Sequence, residues 1–483
     1  MAAERIYINR APGETRIAII ENDRLSDLII SRDGKESLVG NIYQGRVTAV
    51  LDGLQAAFVE IGEERAGFLS VADLRPLGDQ QRDDRIANYI AEGDAILVQV
   101  LRDPEEDKGA KLTGRVTLTG RDMIFAPGKS GITLSRKITG DDERQRLNDI
   151  MAKVIQEGTE GAFVLRTVAG EAEHEDLEDG VKRILERWGE IQKRQEKATP
   201  PECVEKELSP PFAILRDFGG TDLESIICDE AGLLGELKKF AGDEMPDLEE
   251  AITAPEEKGA LFATLGVEEL VDAALNPVVV LPAGGSIIIS ETPALTAIDV
   301  NTGSASNGGR EQTALMTNEE AAVEIAHQIR LRNLSGLLVV DFVSMRRREN
   351  QDAVYHKLRR SVGDDPLRPH VVGFTKLGLL EMTRRRKGPS LSEIISGNIA
   401  IARKSPETVG LEALRGVLAE AQANPAAGYK IEAAPDVISV LKGALADTVK
   451  AMEKENGFAV KYKVEVNFGD ESFQVVESPK KKS

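Results

Sequence analysis

Two short apolar runs, LTAIDVN at residues 295–301 and LLVVDFV at residues 337–343, each carry an aspartate near their end, and a segment of helical period separates them. In that segment Ala322, Ile325, Ala326 and Ile329 recur at i, i+3, i+4 and i+7, which marks one buried helical face. Thr317 and Glu320 have the spacing of a capping box, predicting the helix start. Residues 295–342 therefore predict strand, helix, strand, with the two strands parallel neighbours in a buried sheet. A lone carboxylate is normally rejected from such a place. If the strands are adjacent, Asp299 and Asp341 leave the sheet at one carboxyl edge, and Asn301, two residues on, points the same way as Asp299. Hard oxygen donors so arranged suit hydrated Mg²⁺. The competing reading is that each Asp merely caps a turn or helix. The pairing, the adjacent Asn, the Gly-rich loop NTGSASNGGR and a basic segment downstream weigh toward anionic, metal-assisted chemistry.

At 483 residues the chain is too long for one ordinary domain, and with 41% apolar and 29% charged residues it has the material for several cores. No apolar run reaches membrane-spanning length and the first residues lack a signal-peptide core, so a cytoplasmic protein is expected. The net charge of −20 argues against indiscriminate nucleic-acid binding. That charge is segregated: residues 222–257 hold twelve acids and two bases, whereas residues 344–404 hold fourteen bases and six acids. The latter stretch is a candidate anion-facing surface. Cys203 and Cys228 stand alone, and His174, His327, His356 and His370 have no metal-ligand spacing, so zinc ribbons and disulfide frameworks are excluded. No nucleophile elbow or Walker loop is present.

Nearer the N-terminus, residues 16–30 predict a hairpin, and five short β-patterns between Val39 and Leu118 predict a small closed barrel. Phe58 and Phe68 flank one of its turns, with Tyr43, Arg46, Lys108 and Lys111 as neighbours in sequence or on later strands. Exposed rings stack bases and cations neutralise phosphates, so the barrel is a candidate holder of single-stranded nucleic acid, with core packing the alternative for each ring. Residues 140–200 read as polar helices around GAFVLRTVAG, and Pro200-Pro201 and Pro210-Pro211 as a boundary.

GNIYQGRVTAVLDGLQAAFVEIGEERAGFL, LTAIDVNTGSA, RLRNLSGLLVVDFVSM and LGLLEMTRRR together resemble the ribonuclease E/G family of bacterial endoribonucleases, in order as far as about residue 395. The resemblance implies an α/β multidomain chain. Residues 1–38 and 200–278 would form a ribonuclease-H-like unit, 39–119 an inserted OB-fold RNA-binding barrel and 120–199 a 5′-phosphate sensor region. A DNase-I-like α/β catalytic domain at 279–397 and a small α+β domain at 398–483 would follow. Carried over by position, the catalytic magnesium ligands fall on Asp299 and Asp341 with Asn301 beside them. The RNA-binding residues fall on Phe58, Phe68 and Lys108, and the 5′-phosphate pocket on Gly120, Ile124, Arg166 and Thr167, with Lys376 where the family more often has Arg.

The implied activity is Mg²⁺-dependent endonucleolytic cleavage of single-stranded RNA to 5′-phosphate and 3′-hydroxyl ends, stimulated by a 5′-monophosphate, in ribosomal RNA processing and messenger RNA decay. Two alternatives stand beside it: a catalytically decayed RNA-binding or ribosome-associated protein, and a DNA phosphodiesterase. Pro389-Ser390-Leu391 is followed by no Cys-Pro-x-Cys motif, which argues against a zinc link between protomers, so any homo-oligomer is expected to form without zinc. The long scaffold that recruits degradosome partners in the larger relatives is also missing from this sequence, which resembles the compact, ribonuclease-G-like members.

Overall fold

The computed structural model describes residues 4–74, 85–104, 108–128, 130–155, 159–170, 172–220, 223–256, 259–303, 309–397 and 403–478. The Gly-rich loop at 304–308 and the lysine tail at 480–482 fall outside them. The chain divides into two compact units, residues 1–36 with 222–483, and residues 37–221.

In the first unit, strands Glu14–Glu21 and Arg24–Arg32 form the expected hairpin. They extend a mixed five-stranded sheet in which Arg5–Ala11 lies between Glu14–Glu21 and Ser225–Cys228, the latter parallel to it. The site-bearing sheet has six strands, in the order Val278–Val280, Ser286–Glu291, Thr296–Asn301, Gly336–Asp341, Leu380–Arg384, His370–Phe374. Thr296–Asn301 and Gly336–Asp341 are its parallel neighbours, joined through helix Arg310–Leu331 as the sequence pattern predicts.

Two details depart from expectation. Thr317 does not begin the helix: it is buried in its middle, and Gly309 stands at the N-cap. Residues 310–316 are helix-compatible and Ala314 packs into the core, so tertiary burial overrides the local capping signal. The sheet is also not buried on both faces. Ile298, Val300, Leu338 and Val340 point into the core beneath Ala321, Ala322, Ile325 and Ile329, while the alternate residues Ala297, Asp299, Asn301, Leu337 and Asp341 face solvent. The carboxylates are tolerated because the period of two puts them on the uncovered face.

This unit also holds a three-stranded sheet of Ala459–Val464, Gly428–Ala433 and Phe473–Glu477, packed with helices Pro406–Ala423, Pro435–Lys442 and Ala446–Asn456.

In the second unit, strands Ile42–Leu51, Ala56–Glu60, Gly67–Ser70, Lys111–Thr113 and Ala95–Arg102 pair in succession, and the last returns to the first, closing a five-stranded barrel. Gly67–Ser70 and Lys111–Thr113 run parallel, and the other barrel pairings are antiparallel. This is an OB-like arrangement. Strand Glu202–Glu205 adds to the barrel along Ile42–Leu51, so this later segment packs with the barrel. A four-stranded sheet then carries helices Asp141–Val154 and His174–Lys197 over a core built on Phe125, Phe163, Leu147 and Leu177.

Candidate active site

Parallel pairing sets Asp299 directly beside Asp341, because the register runs Thr296↔Leu338 to Asp299↔Asp341 without a slip. Adjacent strands lie about 4.8 Å apart, and both side chains emerge on the uncovered face. Asn301, also exposed, donates from Nδ2 to Asp299 Oδ2 at 2.7 Å, which fixes that carboxylate and leaves the amide oxygen turned elsewhere. Neither aspartate has an ion-pair partner among the described residues. Two like charges at strand spacing repel by roughly 1 kcal/mol even in water, so the fold holds the pair together against that repulsion. Two adjacent carboxylates, one of them oriented by the Asn301 amide, fit a hydrated divalent ion. Among the described residues no cluster of three or more His, Cys, Asp or Glu offers a rival site.

The backbone around the pair is fixed by residues that no motif in the sequence singles out. Asn318, fully buried on the helix, donates from Nδ2 to Val343 O at 2.8 Å and accepts from Val343 N at 3.0 Å, clamping the chain two residues beyond Asp341. The available signal was an Asn on the apolar stripe, one turn before Ala322. Glu311, in the first turn of the same helix, accepts from the backbone N–H of Arg346 at 3.1 Å and of Arg347 at 3.0 Å, and from Asn350 Nδ2 at 2.8 Å. Those backbone hydrogen bonds, from Arg347 and then Arg346, hold its carboxyl below the usual range. Beyond Asn301, Gly303 passes so close to the turn before Ser286 that a Cβ there would lie 1.7 Å from Gly284 O. Only glycine fits this crossing.

Lys376 is exposed in the tight turn between strands His370–Phe374 and Leu380–Arg384, where Thr375 N and Leu379 O close the loop at 2.7 Å. Since Leu380 pairs with Val340, this turn stands at the same edge of the sheet as Asp341. The other residues assigned to 5′-phosphate binding belong to the second unit. There Arg166 Nη1 donates to the carbonyls of Gly120 at 2.9 Å, Arg121 at 3.1 Å and Arg216 at 3.3 Å. Its Nη2 lies 3.1 Å from Asp217 Oδ1. Gly120 and Arg166 therefore meet, with the guanidinium fork engaged by protein acceptors. Thr167 is exposed, its hydroxyl 3.0 Å from Ser135 Oγ, and half-buried Ile124 pairs with Val164 on the strand next to Arg166. Asp122, whose carbonyl accepts from Arg166 N, is buried, and burial pushes its carboxyl up despite the charge of Arg121.

On the barrel, Phe58 and Phe68 are cross-strand partners with ring centroids 6.2 Å apart in an edge-to-face contact. Their neighbours Ala57, Val59 and Leu69 fill the barrel interior, so the half-buried rings lie on its outside. Lys111 pairs in register with Phe68 and reaches Asp73 at 3.1 Å, and Lys108 is exposed just before that strand. Apolar rings beside cations are a surface suited to stacked bases and phosphates.

A family model described as the ribonuclease E/G family matches residues 117–387. Ribonuclease G of Haemophilus influenzae is 35% identical over 99% of this chain and 100% of its own length. Ribonuclease G of Escherichia coli K12 is 33% identical, with 99% and 100% covered. Ribonuclease E of Nostoc sp. PCC 7120 is 35% identical over 78% of this chain and 55% of its own.

Proposed function

We propose, for a chain that belongs to the ribonuclease E/G family, that it is a hydrolytic endoribonuclease whose reaction is centred on Asp299 and Asp341. The observation that carries this reading is the in-register, solvent-facing, unpaired carboxylate couple at the end of two parallel strands. Asp299 and Asp341 hold Mg²⁺, and Asn301 keeps the first carboxylate oriented through its hydrogen bond. An ion held by these carboxylates would supply Lewis-acid chemistry, lowering the pKa of water and offsetting charge on the phosphate. Asn318 and Glu311 keep the chain beyond Asp341 from shifting, so the two carboxylates stay aligned as the substrate enters. Single-stranded RNA is cut to 5′-phosphate and 3′-hydroxyl ends, in ribosomal RNA processing and messenger RNA decay.

The barrel at 39–119 grips the strand by stacking bases on Phe58 and Phe68, with Lys108 at the phosphates. In the sensor region at 120–199, a 5′-monophosphate is received by Arg166 and Thr167, and it takes from Asp217 the guanidinium edge this acid now occupies. Residues 1–38 with 200–278 are assigned to a ribonuclease-H-like unit, which the mixed five-stranded sheet supports. Residues 279–397 form the DNase-I-like catalytic domain. The decayed-protein reading leaves the retained carboxylate couple without a purpose.

The test is cleavage of a 5′-monophosphorylated single-stranded RNA with Mg²⁺ or with chelator, by the unaltered chain and by Asp299→Asn and Asp341→Asn. Mg²⁺-dependent cleavage lost in both variants is the expected result. Binding without cleavage in every sample would leave an RNA-binding protein, and equal cleavage of the deoxy strand would reassign the substrate.

A further inference from the structure

We propose that Arg346, Arg347 and Arg348 form a guanidinium clamp for the phosphodiester backbone of the RNA strand beside the carboxylate couple. The proposal rests on the endoribonuclease reading and adds to it the residues that hold the strand at the reacting edge. After Asp341 the chain leaves the sheet at its carboxyl edge, and residues 342–347 lead into helix Arg348–Ser361. The start of helix Arg310–Leu331 lies at this edge too, so Glu311 can reach the segment. Glu311 binds its main chain, through the N–H groups of Arg346 and Arg347, and takes no hydrogen bond from the guanidinium groups, although it feels the charge of Arg347. The backbone is fixed while the side chains stay unbridged: the arrangement orders the loop and leaves most of its positive charge in place.

All three arginines are exposed, and among the described residues none has a carboxylate or carbonyl partner for its side chain. Several other arginines of the same unit are engaged by acids, although Arg310, Arg359, Arg368 and Arg385 have no such partner among the described residues. Arg16 pairs with Glu268, Arg32 with Glu14, Arg330 with Glu21 and Asp27, Arg384 with Asp365, and Arg415 with Glu14. In a chain with 81 acids and 61 Lys or Arg, three consecutive unpaired guanidiniums are not a shortage of acids. Their position also opposes local stability. Arg347 is the N-cap and Arg348 the first residue of the helix, whose N-terminal end repels cations. A merely solvated basic face would gain by lying at the other end. Charges placed against both the helix dipole and each other are accounted for by an anion that arrives from outside, and the planar fork suits phosphate oxygens.

The experiment measures equilibrium binding of a fluorescent single-stranded RNA to the full chain carrying Asp341→Asn, across a salt series, so that the readout does not depend on cleavage. The further change R346A/R347A/R348A is expected to weaken binding by about tenfold or more and to flatten the salt dependence by about 0.7 in log–log slope for each phosphate no longer neutralised. R346K/R347K/R348K, which keeps the charge, is expected to recover most of the affinity and the slope. Unchanged affinity and slope in the alanine variant would overturn the clamp. So would weaker binding with an unchanged slope, which indicates a distorted site whose phosphates are still neutralised. If the unaltered chain fails to cleave RNA while the alanine variant still shows the drop in affinity and slope, the clamp stands and the catalytic reading falls.

Discussion

The two ends of the site-bearing sheet use the same residue types in opposite ways. At the amino end of strand Gly336–Asp341, Arg384 pairs in register with Gly336 and turns into the core. Its Nε donates to Asp365 Oδ2 at 2.7 Å, and its Nη1 donates to Asn333 Oδ1 at 2.8 Å and to Leu334 O at 3.0 Å. The side chains of this pair are 3% and 4% exposed. Here the buried charge has its counter-charge inside the chain. At the carboxyl end Asp299 and Asp341 are exposed and form no ion pair among the described residues, and neither do the guanidiniums of Arg346, Arg347 and Arg348 beyond them. A closed ion pair contributes to holding the fold, whereas an open one is completed by what binds. The difference separates the scaffold from the site within one sheet.

The largest expected effect breaks the open end. Asp299→Asn or Asp341→Asn should lower the cleavage rate on the order of a thousandfold, read from initial rates in Mg²⁺, while thermal stability stays level or rises as the like-charge repulsion is relieved. The closed end should respond in the opposite sense. Arg384→Ala strands a buried Asp365 and should cost about 3–5 kcal/mol in denaturant unfolding, with cleavage retained at temperatures where the variant stays folded. Unfolding unchanged by this substitution would dissolve the contrast.

Asn318→Ala bridges the two ends, since it removes buried hydrogen bonds that serve the open edge. It should cost about 2 kcal/mol of stability and also reduce cleavage, a combination neither end alone predicts. The closed end includes the C-terminal half of the helix, where Glu324 meets His327, Arg24 and Gln328. Burial pushes this carboxyl up, but the hydrogen bonds from His327, Arg24 and Gln328 outweigh it and bring the value down to about 2. The stability it contributes is therefore full above its unfolded value and fades as pH falls toward 2, by roughly 2–3 kcal/mol in all. Glu324→Gln should flatten this acid limb of a stability-against-pH curve. The smallest effect lies on the barrel: Phe58→Ala should weaken single-stranded RNA binding by about 1–3 kcal/mol without changing the melting of the first unit.

Much of the site was legible because its signals are local and periodic. Apolar runs with a terminal Asp gave both strands, and Ala322, Ile325, Ala326 and Ile329 gave the buried helical face, all of which the structure places as expected. The five barrel strands were legible for the same reason. What failed was a local signal in a non-local setting: Thr317 and Glu320 spell a cap, yet the helix runs on through them because Ala314 finds a core to fill. Glu311 and Asn318 went unnoticed since their partners, at 343–350, lie some 25 to 39 residues away and share no motif with them.

The order of residues by itself determined which side chains alternate along each strand, and hence that Asp299 and Asn301 share one face. It could not determine that this face is uncovered, that the register sets one aspartate beside the other, or that Glu311 takes its hydrogen bonds from the main chain of the arginine segment. Those facts depend on segments far apart in the chain meeting, where the free energy of burying one face of the sheet decides which groups are left to face water, a metal ion or RNA.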